Sequence, residues 1–165
     1  MTHLVVAGSA EETRALGARL ASLLRPGDLL VLSGDLGAGK TTFTQGVADG
    51  LGVRGDVTSP TFVISRVHPS LDTGPALVHV DAYRLDASVE LDDLDLDAYL
   101  EDAVMVVEWG SGLAEPLAEH RLDIEVLRAR GDEEGDEEGE TRTLRLTAVG
   151  DRWADVDLGA ALHPR

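Results

Sequence analysis

Residues 31–45 read VLSGDLGAGKTTFTQ, and Gly34, Gly39, Lys40 and Thr41 occupy the fixed positions of the pattern G-x-x-x-x-G-K-[ST]. That spacing suits one chemistry, the holding of a nucleotide's phosphates. Glycines let backbone N–H groups turn inward and approach phosphate oxygens with no Cβ in the way. A helix opening at about Thr41 would aim the positive end of its dipole at the same anion. Lys40 would reach the β- and γ-phosphates, and the Thr41 hydroxyl would take one position on Mg2+.

The bland reading is a glycine turn between a strand and a helix that binds nothing. Composition weighs against it. Of 14 lysines and arginines only Lys40 is a lysine, and the chain has no asparagine and no cysteine. With its richness in Ala, Gly, Leu and Asp, this bias suggests a GC-rich genome that replaces lysine with arginine wherever charge alone matters. A guanidinium cannot replace a compact ammonium on a thin stem inside a phosphate cradle. The retained lysine marks a chemical requirement.

A phosphate loop also needs an acid at the end of a neighbouring strand to hold Mg2+ or organise water. Two strands end that way, ALVHVD at Asp81 and AVMVVE at Glu108. Ligands in open α/β sheets gather at the carboxyl ends of strands, so both acids could face the phosphates. Either could instead be a strand-end carboxylate satisfied by backbone or solvent. Spacing alone does not divide the roles.

The elements that must carry these residues can be read from periodicity. HLVVAG is a short strand, followed by a helix with Ser9 as cap and Glu12 completing a capping box. Leu16, Leu20, Leu23 and Leu24 recur at helical spacing, and Pro26–Gly27 is read as the stop. DLLVLSG is the strand before the loop, and KTTFTQGVADGLG is a helix closed by Gly50 or Gly52. VTSPTFVISRVHPS is extended, and SVELDDLDLDAYLEDA an irregular helix or turn. AVMVVEWG is apolar enough for a central parallel strand buried on both faces. HRLDIEVLRAR and TRTLRLTAV alternate like an antiparallel hairpin, with the acidic run GDEEGDEEGE (131–140) at its tip. That run reads as a solubilising loop. The expected fold is α/β, with a mostly parallel sheet, flanking helices and a C-terminal antiparallel hairpin, in a single domain over 1–165.

Asp93, Asp95 and Asp97 have the spacing that opens an EF-hand loop. Ala98 then stands where glycine is required and Val104 where glutamate is required, so the match fails. The net charge of −17 argues against direct binding of tRNA or DNA, because phosphate neutralisation supplies most of that affinity. No basic, apolar leader opens the chain and no apolar run reaches spanning length. The expectation is a cytoplasmic protein with no membrane contact.

Taken in order, GDLGAGKTTF, SPTF, HVDAYRL and VVEWG resemble the TsaE (YjeE) family, from about Ser9 to Trp153. These are small bacterial P-loop ATPases of the tRNA threonylcarbamoyladenosine machinery. The resemblance implies a P-loop NTPase-like three-layer fold. It implies ATP binding through Gly37, Ala38, Gly39, Lys40, Thr41 and Thr42, with Mg2+ on Thr41 and Glu108. It further implies that Asp81 acts near the attacking water, as base or outer-sphere magnesium partner, that Thr61 is a switch-like threonine near the γ-phosphate, and that Thr13 stands near the nucleotide. Lys40 and Thr61 would join Asp81 in catalysis. The implied partners are TsaB and TsaD, with TsaD carrying the transfer chemistry and tRNA met only through the complex. Ser111 stands where members often carry an acid.

Two other classes fit a phosphate loop. A small-molecule kinase would need a lid with basic side chains, and only Arg66 and Arg84 stand near the motifs. A nucleotide-dependent binding module would share the loop without turnover. A GTPase is disfavoured, because an N-K-x-D loop needs an asparagine and a second lysine.

Overall fold

The structure, a computed structural model, describes residues 1–35, 37–57, 65–82, 96–109, 114–128 and 141–163. Thr61, Arg84, Asp93, Asp95, Ser111 and the acidic run 131–140 lie outside the described residues.

Strand β1 (Thr2–Ala7) leads into helix α1 (Ala10–Ala21) through the cap that the sequence announces. Ser9 Oγ accepts the Glu12 N–H at 3.1 Å, and the Glu12 carboxylate accepts the Gly8 N–H at 2.6 Å. The Ser9 half of the expected capping box is formed, while the Glu12 carboxylate goes to the amide one residue before the cap rather than to the Ser9 N–H. α1 closes at Ala21 on a Ser22 cap, before Pro26 and Gly27 are reached. Strand β2 (Leu29–Ser33) then enters the phosphate-loop sequence, and helix α2 (Lys40–Leu51) leaves it. Gly52 caps α2 in the left-handed conformation at φ 68°.

The remaining elements are β3 (Ser65–His68), β4 (Ala76–Asp81), α3 (Leu96–Leu100), β5 (Ala103–Glu108), β6 (Arg121–Arg128), β7 (Arg142–Val149) and α4 (Leu158–Leu162). Among the described residues, seven strands share one sheet in the order β1-β7-β6-β2-β5-β4-β3. The expectation of a mostly parallel sheet is corrected: β6–β2, β2–β5 and β5–β4 are parallel, while β1–β7, β7–β6 and β4–β3 are antiparallel. The reason is connectivity. β3 and β4, and likewise β6 and β7, are consecutive in the chain and adjacent in the sheet, and antiparallel pairing suits such neighbours. The C-terminal hairpin also slots between β1 and β2, so the strand that α1 carries back never pairs with the strand it left.

Each face of the sheet has its own core. On one, Leu30, Leu32, Val104, Val106, Leu122 and Ile124 pack against Leu16 and Leu20 of α1 and Phe43 and Val47 of α2. On the other, Leu29, Val31, Val78, Met105 and Val107 meet Leu100 of α3 and Ala114. β5 is buried at every position and pairs in parallel on both sides, as its unbroken apolar run requires.

α1 and α2 approach until their backbones touch. A Cβ added to Gly46 would lie 1.9 Å from Arg14 O, one on Gly17 would lie 2.3 Å from Phe43 O, and one on Gly50 would lie 2.6 Å from Ala18 O. Gly50 is thus a packing residue inside α2 rather than its stop. The close crossing sets where the first turn of α2 stands against the sheet. Among the described residues, no helix is long and apolar enough to cross a membrane.

Candidate functional site

The loop between Ser33 and Lys40 owes its path to glycine. Gly34 has φ 143°, and a Cβ there would stand 2.4 Å from Val126 O on β6. Gly39 caps α2 at φ 108° with no side chain to satisfy the first-turn amides. This first turn and the loop before it line a cleft of about 280 Å3, formed by Gly37, Ala38, Gly39, Lys40, Thr41, Thr42, Glu108 and Trp109. At the lower end of ordinary ligand-pocket volumes, it suits a phosphate chain better than a whole nucleotide. The six loop residues expected at the phosphates therefore share one concave surface.

Lys40 is buried and pulled in three directions. Its Nζ donates to Gly34 O at 2.7 Å and Asp35 O at 2.9 Å, and stands 3.9 Å from the centre of the Trp109 ring. Burial lowers the pKa of the ammonium, while the carboxylates of Glu108, Asp35 and Asp81 work to raise it. The indole takes this position because Trp109 adopts φ 62°, a left-handed backbone that bulky residues rarely accept. The Trp109 N–H donates to Leu32 O at 2.8 Å, so the turn is anchored on the neighbouring strand.

The two strand-end acids sit side by side, since Asp81 of β4 and Glu108 of β5 are register partners and both are buried. Their surroundings differ. Thr41 Oγ1 donates to Glu108 Oε1 at 3.2 Å, and His79 Nε2 is hydrogen-bonded to Glu108 Oε2. His79 is completely buried, and its Nδ1 finds no partner among the described residues. Glu108 thus has one oxygen held by an imidazole and the other turned toward the loop. Asp81 is not among the residues lining the cleft.

These donors fit a hard divalent cation. Hydroxyl and carboxylate oxygens 3.2 Å apart approximate the edge of an Mg2+ octahedron, about 2.9 Å for bonds of roughly 2.05 Å. No group of three or more His, Asp or Glu side chains gathers for a metal among the described residues. Two protein ligands with phosphate and water in the remaining places is a common Mg2+ arrangement.

Thr13 of α1 stands behind the loop. Its hydroxyl donates to Ser9 O at 3.2 Å, and its methyl lies 3.9 Å from where a Gly39 Cβ would be. Gln45, one turn beyond Thr41, donates to Val57 O at 2.9 Å and pins the chain just before the segment that contains Thr61. Arg66 lies on β3, exposed.

Three site residues escape a reading of the sequence. His79 leaves a faint signal, since a strand's two-residue period sets it on the same face as Asp81. Trp109 directly follows Glu108, but nothing in its type announces the turn. Arg142 gives no signal at all. It reaches the loop from β7, with Nε donating to Ala38 O at 2.6 Å and Nη2 to Gly37 O at 3.3 Å.

Fold and site together define a nucleotide-binding α/β protein, with a glycine loop and helix N-terminus at the carboxyl ends of parallel strands. Comparison with known proteins narrows the class. The family model for threonylcarbamoyl adenosine biosynthesis protein TsaE matches residues 7–137, and the chain belongs to this family. A relative named tRNA threonylcarbamoyladenosine biosynthesis protein TsaE, from Streptomyces coelicolor, is 60% identical over 88% of this chain and 96% of its own. The protein of the same name from Bacillus subtilis is 44% identical over 87% of this chain and 84% of its own. The crystal structure of YdiB from Bacillus subtilis superposes with a TM-score of 0.71 at 35% identity, covering 98% of this chain and 94% of that one.

Proposed function

We propose that residues 1–165 act as one Mg2+-dependent ATPase domain of the P-loop NTPase type, a cytoplasmic subunit of the machinery that forms threonylcarbamoyladenosine on tRNA. It works with TsaB and TsaD and meets tRNA only through them, with no role on DNA or membranes. The names of the relatives support the pathway. The observation that carries the ATPase reading is the convergence of Thr41 Oγ1 and Glu108 Oε1, 3.2 Å apart, beside the buried ammonium of Lys40.

Bound Mg-ATP supplies the phosphoanhydride to be cleaved and the cation that draws charge from it. The chain's own residues do the rest. Thr41 and Glu108 hold the metal, and His79 keeps the Glu108 carboxylate from turning away. The first-turn amides of α2 and the loop amides of Gly37 and Gly39 donate to phosphate oxygens. Lys40 has three N–H donors, two on loop carbonyls, and offers the third to the β- and γ-oxygens. Asp81 acts near the attacking water, as its base or as an outer-sphere magnesium partner, and Thr61 serves as the switch-like threonine of the γ-phosphate.

The test is phosphate release from ATP by the purified chain, with and without TsaB and TsaD of the same organism. Stimulation by the partners supports the reading. Phosphate appearing on an added metabolite instead would make the protein a kinase. Binding without release, partners present, would make it a binding module.

A further inference from the structure

We propose that Arg142 is a positioning residue of the phosphate loop, holding its outward carbonyls so that its amides stay aimed into the cleft. The proposal rests on the reading that phosphates occupy this loop. Arg142 opens β7 and is not among the residues lining the cleft, so it meets the loop from behind. Its guanidinium spans two consecutive carbonyls, Ala38 O from Nε at 2.6 Å and Gly37 O from Nη2 at 3.3 Å. Nη1 donates to Thr141 O at 3.1 Å, on the residue just before β7.

Peptide geometry turns these contacts into a function. In a planar trans peptide the C=O and the following N–H point to opposite sides. Fixing Ala38 O behind the loop therefore turns the Gly39 N–H to the front. The Gly37–Ala38 peptide is pinned at both ends, its carbonyl by Arg142 and its N–H by Asp35 O at 3.0 Å. Glycines on both sides of Ala38 make this necessary, because a chain that reaches φ 74° at Gly37 and 108° at Gly39 can reach many other conformations.

A second cation performs the same task only conditionally. Lys40 holds Gly34 O and Asp35 O, but it is also the group offered to the phosphates, and those demands compete. Arg142 holds its two carbonyls without itself lining the cleft. Its fork suits two adjacent carbonyls, whereas an ammonium in its place would be a single point of contact.

The experiment compares Arg142→Gln, Arg142→Lys and Arg145→Gln in the full chain. Arg145 lies on the same strand in an exposed pair with Glu125, so its loss removes the same charge without touching the loop. Calorimetric dissociation constants for Mg-ATP and Mg-ADP are read beside amide hydrogen exchange of the ligand-free protein. Arg142→Gln should weaken both nucleotides roughly tenfold or more, as expected for losing charge-assisted hydrogen bonds. Arg145→Gln should stay within about twofold, and Arg142→Lys should recover only part of the loss. Exchange should quicken at residues 37–40 while α2 beyond Phe43 keeps its protection.

Unchanged affinity in Arg142→Gln would overturn the proposal. So would full recovery in Arg142→Lys, because charge alone would then suffice. Exchange that quickens evenly through α2 and the sheet would mean a general stability role and overturn it too. If Arg142→Gln does not fold, the lysine variant decides by the same two readouts. If the wild-type chain binds no nucleotide, that failure belongs to the proposed function, and exchange at the loop still decides for Arg142.

Discussion

Gly46→Ala sets two known effects against each other. Gly46 lies inside α2, where alanine is the better helix former by about 1 kcal/mol, so on an exposed face the change would stabilise. Here the new Cβ would stand 1.9 Å from Arg14 O, 2.8 Å from Arg14 C and 3.0 Å from Arg14 Cα. Ordinary contact begins near 3.4 Å, so α1 and α2 must part by over an ångström, and the obstruction is backbone with no rotamer to change. Overpacking costs about 1–3 kcal/mol, and an overlap of this depth belongs at the upper end. Sterics win, leaving a net loss of about 2 kcal/mol. For a chain of this size that lowers Tm by roughly 4–8 °C. The shift also reaches the site, because α2 begins with Lys40 and Thr41, and Mg-ATP affinity should fall with stability. Thermal melting and calorimetry on Gly46→Ala read both, with Gly52→Ala as a companion. That residue has open space around it and a left-handed φ of 68°, so it costs about 1–2 kcal/mol through backbone strain alone. A Gly46→Ala protein that melts at or above the wild-type temperature would refute the helix-crossing argument. Lowered stability with unchanged nucleotide affinity would refute the link from crossing to loop.

Glu108→Gln removes a charged oxygen beside the expected metal and should abolish most Mg2+-dependent hydrolysis with the fold intact; a normal Mg2+ titration of turnover would refute it. Asp81→Asn should lower kcat far more than it weakens nucleotide binding, and equal losses would point to a structural role. Lys40, as the only lysine, gives a single side-chain resonance in protein labelled with 13C-lysine. Its amine should titrate below the ordinary 10.5, because burial disfavours the charge, and Mg-ATP should push the titration back up. The sign for stability follows. Between the lowered native pKa and 10.5 the unfolded chain binds more protons, so this group's contribution to stability rises with pH across that window. An ordinary titration that ATP does not move would sink this account.

The loop, its lysine and the two strand-end acids can be singled out from the sequence because each signal is local. G-x-x-x-x-G-K-T is a contiguous run, and Asp81 and Glu108 each close an apolar strand on their own segment. The Ser9–Glu12 cap, the doubly buried β5 and the β6–β7 hairpin were legible for the same reason, as period and turn chemistry act over a few residues. Sheet order was not, because it depends on which strands pair across the whole chain. Hence the antiparallel β1–β7 and β4–β3 pairings appear where a mostly parallel sheet was expected. The glycines of α1 and α2 carry no mark in the sequence to separate a close helix crossing from a helix stop. Distance in sequence hides the rest of the site. His79 meets Glu108 across 29 residues, and Arg142 meets Ala38 across 104. A side chain that spans such a gap is aimed by strand register, and register arises from the packing of the sheet as a whole.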